Sequence, residues 1–253
     1  MLMNGNGQDQ WLNDNNSLVA RYSLEDQKTE NDFIGGNTLA SAGALNTNKI
    51  HSAVVKNTTT IGSSKVNDLL VMYQHFENNI TANDPNTPGI QTPSFFFGAN
   101  LNTPQQTIQK RIQVKDDFAF RKENWGGDHD FKVGGELIRS HYGGFFVPTL
   151  YGYFIFNDTR PSLDSYLNTI ADTFSGSAGD NEFDDNWTYV AGYLQDDWHV
   201  TPQLTLNLGL RYEVQYGPFS NDFDTVSLRA LAAVGAKTER DQDYNNFGPR
   251  LGF

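Results

Sequence analysis

The sequence contains no cysteine, only 3 methionines, and no apolar run long enough for a membrane-crossing helix. The missing thiols exclude cysteine catalysis, disulfide staples and cysteine-bound metal, and fit many compartments. A spanning helix needs about 18 or more consecutive apolar residues, and none is present. Positive charge is also scarce: 18 Lys and Arg stand against 30 Asp and Glu, a net charge of −12. No basic run exceeds Lys110–Arg111 or Arg121–Lys122. Nothing here can displace counterions along a phosphate backbone, so a nucleic-acid partner is excluded. The opening MLMNGNGQDQ has neither a basic nor an apolar segment of a secretory leader. A protein working outside the cytoplasm would need more sequence than this. The expectation is a chain that begins and ends inside something larger.

Hydrophobic residues reach only 38%, below the usual globular share of about 45–50%. Aromatics are abundant at 13%, with 18 Phe and 11 Tyr. That balance is odd for a soluble core. It suits a wall with one apolar face and aromatic rims.

The clearest pattern is LTLNLGLRYEVQY. Its even positions are Leu204, Leu206, Leu208, Leu210, Tyr212, Val214 and Tyr216; the odd ones include Arg211 and Glu213. Strict alternation marks a strand with two unlike faces. Its length is about double that of an ordinary strand and fits a tilted bilayer crossing. Similar patterns recur at Leu18–Leu24, Ile50–Thr60 and Lys65–Phe76. In QKRIQVKDDFAF, Ile112, Val114, Phe118 and Phe120 share a face that Asp116 interrupts. In DFKVGGELIRSHY, Phe131, Val133 and Leu137 oppose Lys132 and Glu136. Trp187–Val200, Leu204–Tyr216 and NNFGPRLGF complete about eight strands.

Short connections (IGSS, NWGGDH, TPQ) alternate with long polar ones at 27–49, 78–109, 143–186 and 217–244. In an antiparallel meander alternate connections share one end. All long loops then lie on one rim and all tight turns on the other, as in outer-membrane barrels. The expected fold is all-β: an antiparallel up-and-down meander, part of a large transmembrane β-barrel or a curved open sheet. The whole chain, 1–253, is expected to be partial barrel wall. One long loop, TRPSLDSYLNTIADTF, carries a short helix signal, with Thr159 as cap and Leu163, Tyr166, Leu167 and Ile170 as a stripe meant for the rim. On this reading Leu204, Leu206, Leu208, Leu210, Tyr212, Val214, Tyr216, Phe131 and Val133 face lipid or its border. Arg211, Glu213, Lys132 and Glu136 face a wet lumen.

Several stretches then resemble one family. QDDWHVTPQLTLNLGLRYE, NNFGPRLGF, HDFKVGGELIRS, KVNDLLVMYQHF and GYFIFNDTRPSLDSYLNTIADTF resemble, in order and spacing, strands and a loop of TonB-dependent outer-membrane transporters. They are most similar to the Oar-like subgroup. The resemblance runs from about Leu18 to the end. It implies uptake of a scarce, unidentified small ligand in the bacterial outer membrane. The implied partners are outer-membrane lipid, the remaining barrel strands, a plug, and the TonB energy-coupling complex acting through that plug. Nothing in these residues resembles a plug or an energy-coupling box. The rival readings are a soluble extracellular β-protein binding glycans through long loops and a passive porin-like channel.

Catalytic chemistry has no foothold in the sequence. The five histidines lack metal-ligand spacing, and no nucleophile or phosphate-loop motif occurs. No enzyme activity, cofactor or metal is expected. Asp196 and Asp197 are strand neighbours and face opposite ways. The acidic GDNEFDDNW reads as a solvated loop rather than a calcium site. His129 and His199, beside short turns, read as interfacial and solvated. The aromatics of PSFFFGAN read as loop packing rather than a ligand grip.

Overall fold

The computed structural model describes residues 8–158, 163–178, 181–217, 225–237 and 243–253. In chain order the strands are β1 (Gln8–Asn13), β2 (Asn16–Asp32), β3 (Ala44–Ile61), β4 (Lys65–Ala82), β5 (Gly89–Gln91), β6 (Phe96–Phe97), β7 (Gln105–Lys122), β8 (Asp128–Phe146), β9 (Tyr153–Ile155), β10 (Thr173–Ser175), β11 (Glu182–Thr201), β12 (Leu204–Tyr216) and β13 (Phe247–Gly252). The helices are α1 (Leu163–Leu167) and α2 (Thr225–Ala233).

Nine strands form one antiparallel sheet in the order β1-β2-β3-β4-β7-β8-β11-β12-β13. All eight expected strands are present. The six-residue β1 is an addition, in a polar stretch with little alternation to reveal it. The first and last strands are not paired with each other, so the sheet is open. Tight turns join β1–β2, β3–β4, β7–β8 and β11–β12. The long connections, at 33–43, 83–104, 147–181 and 217–246, alternate with them and share the opposite end.

The first three long connections are shorter than the sequence suggested, because the strands continue past the end of the apolar pattern; the last is two residues longer, since β13 starts only at Phe247. The strand β2 has 17 residues and β11 has 20. About nine to eleven suffice for the hydrocarbon layer. The extra length is held by backbone ladders and by polar side chains such as Asn78 Nδ2, which donates to Asn46 Oδ1 (2.8 Å) and Asn48 Oδ1 (2.9 Å). Polar residues obscured these extensions in the sequence. The stretch GDNEFDDNW is a case in point: from Glu182 onward it belongs to β11 rather than to a loop, and Asp180 lies outside the described residues.

The wall has almost no conventional core. Buried apolar residues concentrate in the long connections instead: Ala42, Ile90, Phe97, Ala99, Tyr153, Phe156 and Tyr166. There β5, β6, β9 and β10 form a second sheet, with β5 parallel to β9. Its core is Ile90, Phe97, Phe156 and Tyr166, with Phe95 and Phe154 packed against it. The aromatics of PSFFFGAN therefore pack within the loops. Burial pushes the Tyr153 hydroxyl above its ordinary range; it donates to Gln91 Oε1 at 2.5 Å.

The helix α1 is only five residues long, and its expected stripe does not form. Tyr166 is 1% exposed, whereas Leu167 and Ile170 are 57% and 91% exposed. Tyr166 packs edge-on to Phe156 at 5.0 Å, in the loop sheet rather than on the barrel rim. So short a helix cannot turn Tyr166, Leu167 and Ile170 to one side. Thr159 lies outside the described residues. The unforeseen α2 sits in a window of good helix formers, LRALAA. It ends at Ala233, and Gly235 just beyond, with a φ of +70°, suits a left-handed stop.

Removing Tyr166 tells the loop unit apart from the wall. Tyr166→Ala is expected to cost the loop unit about 3–5 kcal/mol. Hydrogen exchange should accelerate at β5, β9 and β10 while β3, β4 and β8 stay protected.

Candidate functional site: two unlike faces of one wall

Register decides which side chains share a face. One row runs Ala20–Val55–Val71–Val114–Leu137–Val190–Val214 across neighbouring strands. Every member is apolar. Side chains two residues apart repeat the character, so Leu69, Tyr73, Ile112, Phe118, Leu194 and Leu210 lie on the same face. Phe131 and Val133 join it through Asp196–Leu208 and Leu194–Leu210. All nine residues expected to meet lipid or its border therefore stand together. Tyr22, Val55, Val71, Ile112, Leu137, Leu194 and Leu210 are exposed. Left wet, such a face would forfeit on the order of 10 kcal/mol, as much as a whole domain's stability.

Two polar interruptions on this face are paired across strands. Asn67 Nδ2 donates to Asp116 Oδ1 at 2.7 Å, and Arg139 Nη1 to Thr188 Oγ1 at 2.7 Å. At the tight-turn border His129 is 6% exposed, against the expectation of a solvated ring. It stacks between Phe131 (5.3 Å, 3°) and Trp198 (5.3 Å, 12°). Its Nδ1 pairs with Asp196 Oδ2 at 2.8 Å, and its Nε2 with the Trp125 carbonyl at 3.1 Å. Sequence neighbours gave no sign of this, because its partners come from the turn and from β11. His199, on the other face, pairs with Asp130 Oδ2 (3.1 Å) and Thr205 Oγ1 (3.0 Å).

The opposite face is polar. Three adjacent rows read Lys115–Glu136–Ala191–Glu213, Asp117–Gly134–Tyr193–Arg211–Gly248 and Ala119–Lys132–Gln195–Gly209–Arg250. Arg211, Glu213, Lys132 and Glu136 thus lie within three rows of one another. At Gly209, which has no side chain, an open groove of about 450 Å³ is bordered by Gln113, Lys115, Lys132, Glu136, Tyr193, Arg211 and Arg250.

Hydrogen bonds set the side chains around it. The Tyr193 ring crosses Gly134 so that its hydroxyl donates to Asp117 Oδ1. A Cβ on Gly134 would lie 2.4 Å from that oxygen and 2.6 Å from Tyr193 Cε1. Lys115 Nζ stands 2.9 Å from Asp117 Oδ2, and Lys132 Nζ 3.9 Å. Gln113 Nε2 donates to Glu136 Oε1 at 2.5 Å. Arg211 donates from Nε to Glu213 Oε2 (2.9 Å) and from Nη2 to the Tyr189 hydroxyl (2.7 Å), which in turn donates to Glu213 Oε2 (2.7 Å). Half-exposed pairs like these are worth about 0–1 kcal/mol each. Their effect is to fix a hydrated, charged surface. Asp117, Tyr193, Gln113 and Tyr189 were not singled out from the sequence. The odd positions of QKRIQVKDDFAF carried part of the signal, but the cross-strand partners needed the register.

The family model for the outer membrane beta barrel domain matches residues 8–253. The chain belongs to that family. It therefore resides in the bacterial outer membrane. None of the curated proteins matches the sequence. Among solved structures, this outer-membrane β-barrel domain is similar to FpvA of P. aeruginosa, a structure with bound pyoverdines, at TM-score 0.59 and 12% identity, covering 96% of this chain and 31% of that one. It is also similar to the outer membrane transporter YddB from Escherichia coli (TM-score 0.55, 10% identity, 82% and 26% covered). A third is BauA, the ferric preacinetobactin receptor from Acinetobacter baumannii (TM-score 0.50, 11% identity, 83% and 32% covered). These likenesses concern the fold. The domain spans only 26–32% of the length of those three proteins.

A Gly134→Ala substitution should force the Tyr193 ring off its strand. The expected loss is about 1–3 kcal/mol, read as a lowered unfolding midpoint in detergent. An Ala119→Gly control should move the midpoint by less.

Proposed function

We propose that this domain supplies barrel wall and outward loops to a TonB-dependent transporter of the Oar-like kind. The transporter takes up an unidentified small ligand. The observation that carries the reading is the valine–leucine row, exposed at Val55, Val71, Leu137 and Val190 and backed by an ionic surface, with every long connection at one end.

In this reading the apolar face meets outer-membrane lipid and the polar face lines the lumen. Arg211, Glu213, Lys132 and Glu136 then hydrate the path and face the plug. The remaining strands complete the wall, because a strand edge in lipid leaves unpaired backbone groups costing several kcal/mol each. The TonB energy-coupling complex acts through the plug. The domain does no chemistry on its cargo, and no cofactor or metal takes part.

A soluble glycan-binding sandwich would need a second sheet over the apolar face. The only other sheet among the described residues is the small loop sheet, and Tyr22, Val71, Leu137 and Leu194 remain exposed. The passive porin-like channel is the remaining alternative, and energy dependence separates the two. With the whole protein in cells, depletion of TonB should abolish ligand-limited growth that the protein supports. Growth unchanged after depletion would assign a passive channel.

A further inference from the structure

The polar face is not uniform from one end to the other. Its side chains on β2, β3, β7 and β12 include no aromatic ring. On β11, by contrast, Phe183, Trp187, Tyr189 and Tyr193 all lie on it, and β8 adds Tyr142. The upper rings stand toward the long connections, at the base of the segment that leaves β8 and returns into β11. Tyr142 stacks on Phe183, with centroids 4.9 Å apart and planes at 27°. One row further from the loops Arg111 reaches across Ser140 to Trp187, 5.7 Å from the ring centroid. Next comes Tyr189, whose hydroxyl joins Arg211 and Glu213. From Phe183 to Tyr189 the column is about 20 Å long. Tyr142 is exposed, and Phe183, Trp187 and Tyr189 are half-buried, so each presents ring surface to the lumen.

Polar side chains edge this column on both sides. The register rows are Phe76–Gln109–Tyr142–Asp185 and, below it, Gln74–Arg111–Ser140–Trp187. Among the described residues, the side chains of Gln74, Gln109 and Asp185 have no hydrogen-bond partner. Formal charge cancels along the column: Arg111 stands against Asp185, and Arg211 against Glu213 at 2.9 Å. That combination discriminates among ligand chemistries. A wholly apolar ligand would cover Gln109 and Asp185 and leave them unpaired, at a cost for each. An anion or a cation would find no net opposite charge. A neutral ring with apolar C–H faces and a rim of hydroxyls meets both demands. Its face lies on an aromatic ring, and its hydroxyls exchange hydrogen bonds with the amide, guanidinium and carboxylate groups alongside.

We propose that Tyr142, Phe183 and Trp187, edged by Gln109, Arg111 and Asp185, form a track for a neutral oligosaccharide in the loop-side half of the lumen. Linked sugar rings step from Phe183 and Tyr142 down to Trp187, with their hydroxyls toward β7 and Asp185. This names a cargo class for the transporter and rests on the polar face lining the lumen, as argued above.

The test uses the whole protein in detergent, titrated calorimetrically with uncharged linear oligosaccharides of glucose, xylose and mannose. At least one of them should bind saturably. Y142A and W187A should each weaken that binding about five- to tenfold, the loss of one ring stack. W187F, which keeps a ring in place, should stay within about twofold, and Y73A, on the lipid face, should change nothing. No binding of any of the three sugars, equal losses in Y73A and W187A, or tighter binding of an acidic oligogalacturonate would each overturn the track. The transporter reading survives those results if TonB depletion still abolishes growth. Sugar binding lost in W187A, with growth indifferent to TonB, keeps the track and overturns energised transport instead.

Discussion

Every other feature of this wall depends on the backbone ladder that runs from β2 to β12. Each long strand between them exchanges hydrogen bonds with a neighbour on both sides, so the peptide groups need no water. In hydrocarbon, where an unpaired group costs several kcal/mol, this is the condition for crossing at all. Once it is met, the side chains are released from holding the sheet together. They need not interlock as a core does, and here they do not. One face carries exposed valine, leucine and isoleucine such as Val71, Leu137 and Ile112; the other carries a lattice of lysine, arginine and carboxylate.

The molecule is thus inverted relative to a soluble domain. Its dry, close-packed interior lies in the connections, where Ile90, Phe97, Phe156 and Tyr166 bury one another. Its largest sheet has no interior of its own. Loops of a barrel are often pictured as slack. Here two of the four long connections share a sheet and a core, and a third is tied to them by hydrogen bonds such as Asn100 Nδ2 to the Ala42 carbonyl (2.8 Å).

The wall was legible in the sequence because its physics is periodic. Leu204 to Tyr216 alternates so strictly that strand, faces and turn position follow from it, and the order of short and long connections gave the topology. What stayed hidden was whatever depends on residues far apart in the chain. His129 looks like a surface histidine until Phe131, Trp198 and Asp196 are brought around it. Tyr193 and Asp117 are unremarkable until β8 places Gly134 between them. The helix signal at Tyr166 and Ile170 was real but overread: the pattern spans two turns, whereas the chain maintains one. The loop strands β5, β6, β9 and β10 are two or three residues long, too short for alternation to register.

The parallel pairing of β5 with β9 carries a consequence for assembly. These strands belong to connections anchored by different pairs of wall strands, β4 with β7 and β8 with β11. Gly89 meets Tyr153 only if β7 and β8 are aligned correctly. A slip of two residues keeps the greasy and wet sides where they belong, so lipid alone would not reject it. It would, however, carry one loop about 7 Å past the other and pull Ile90 away from Phe156. The cap over the rim thus acts as a checksum on the zipper below, rewarding the one alignment that the membrane cannot distinguish by itself.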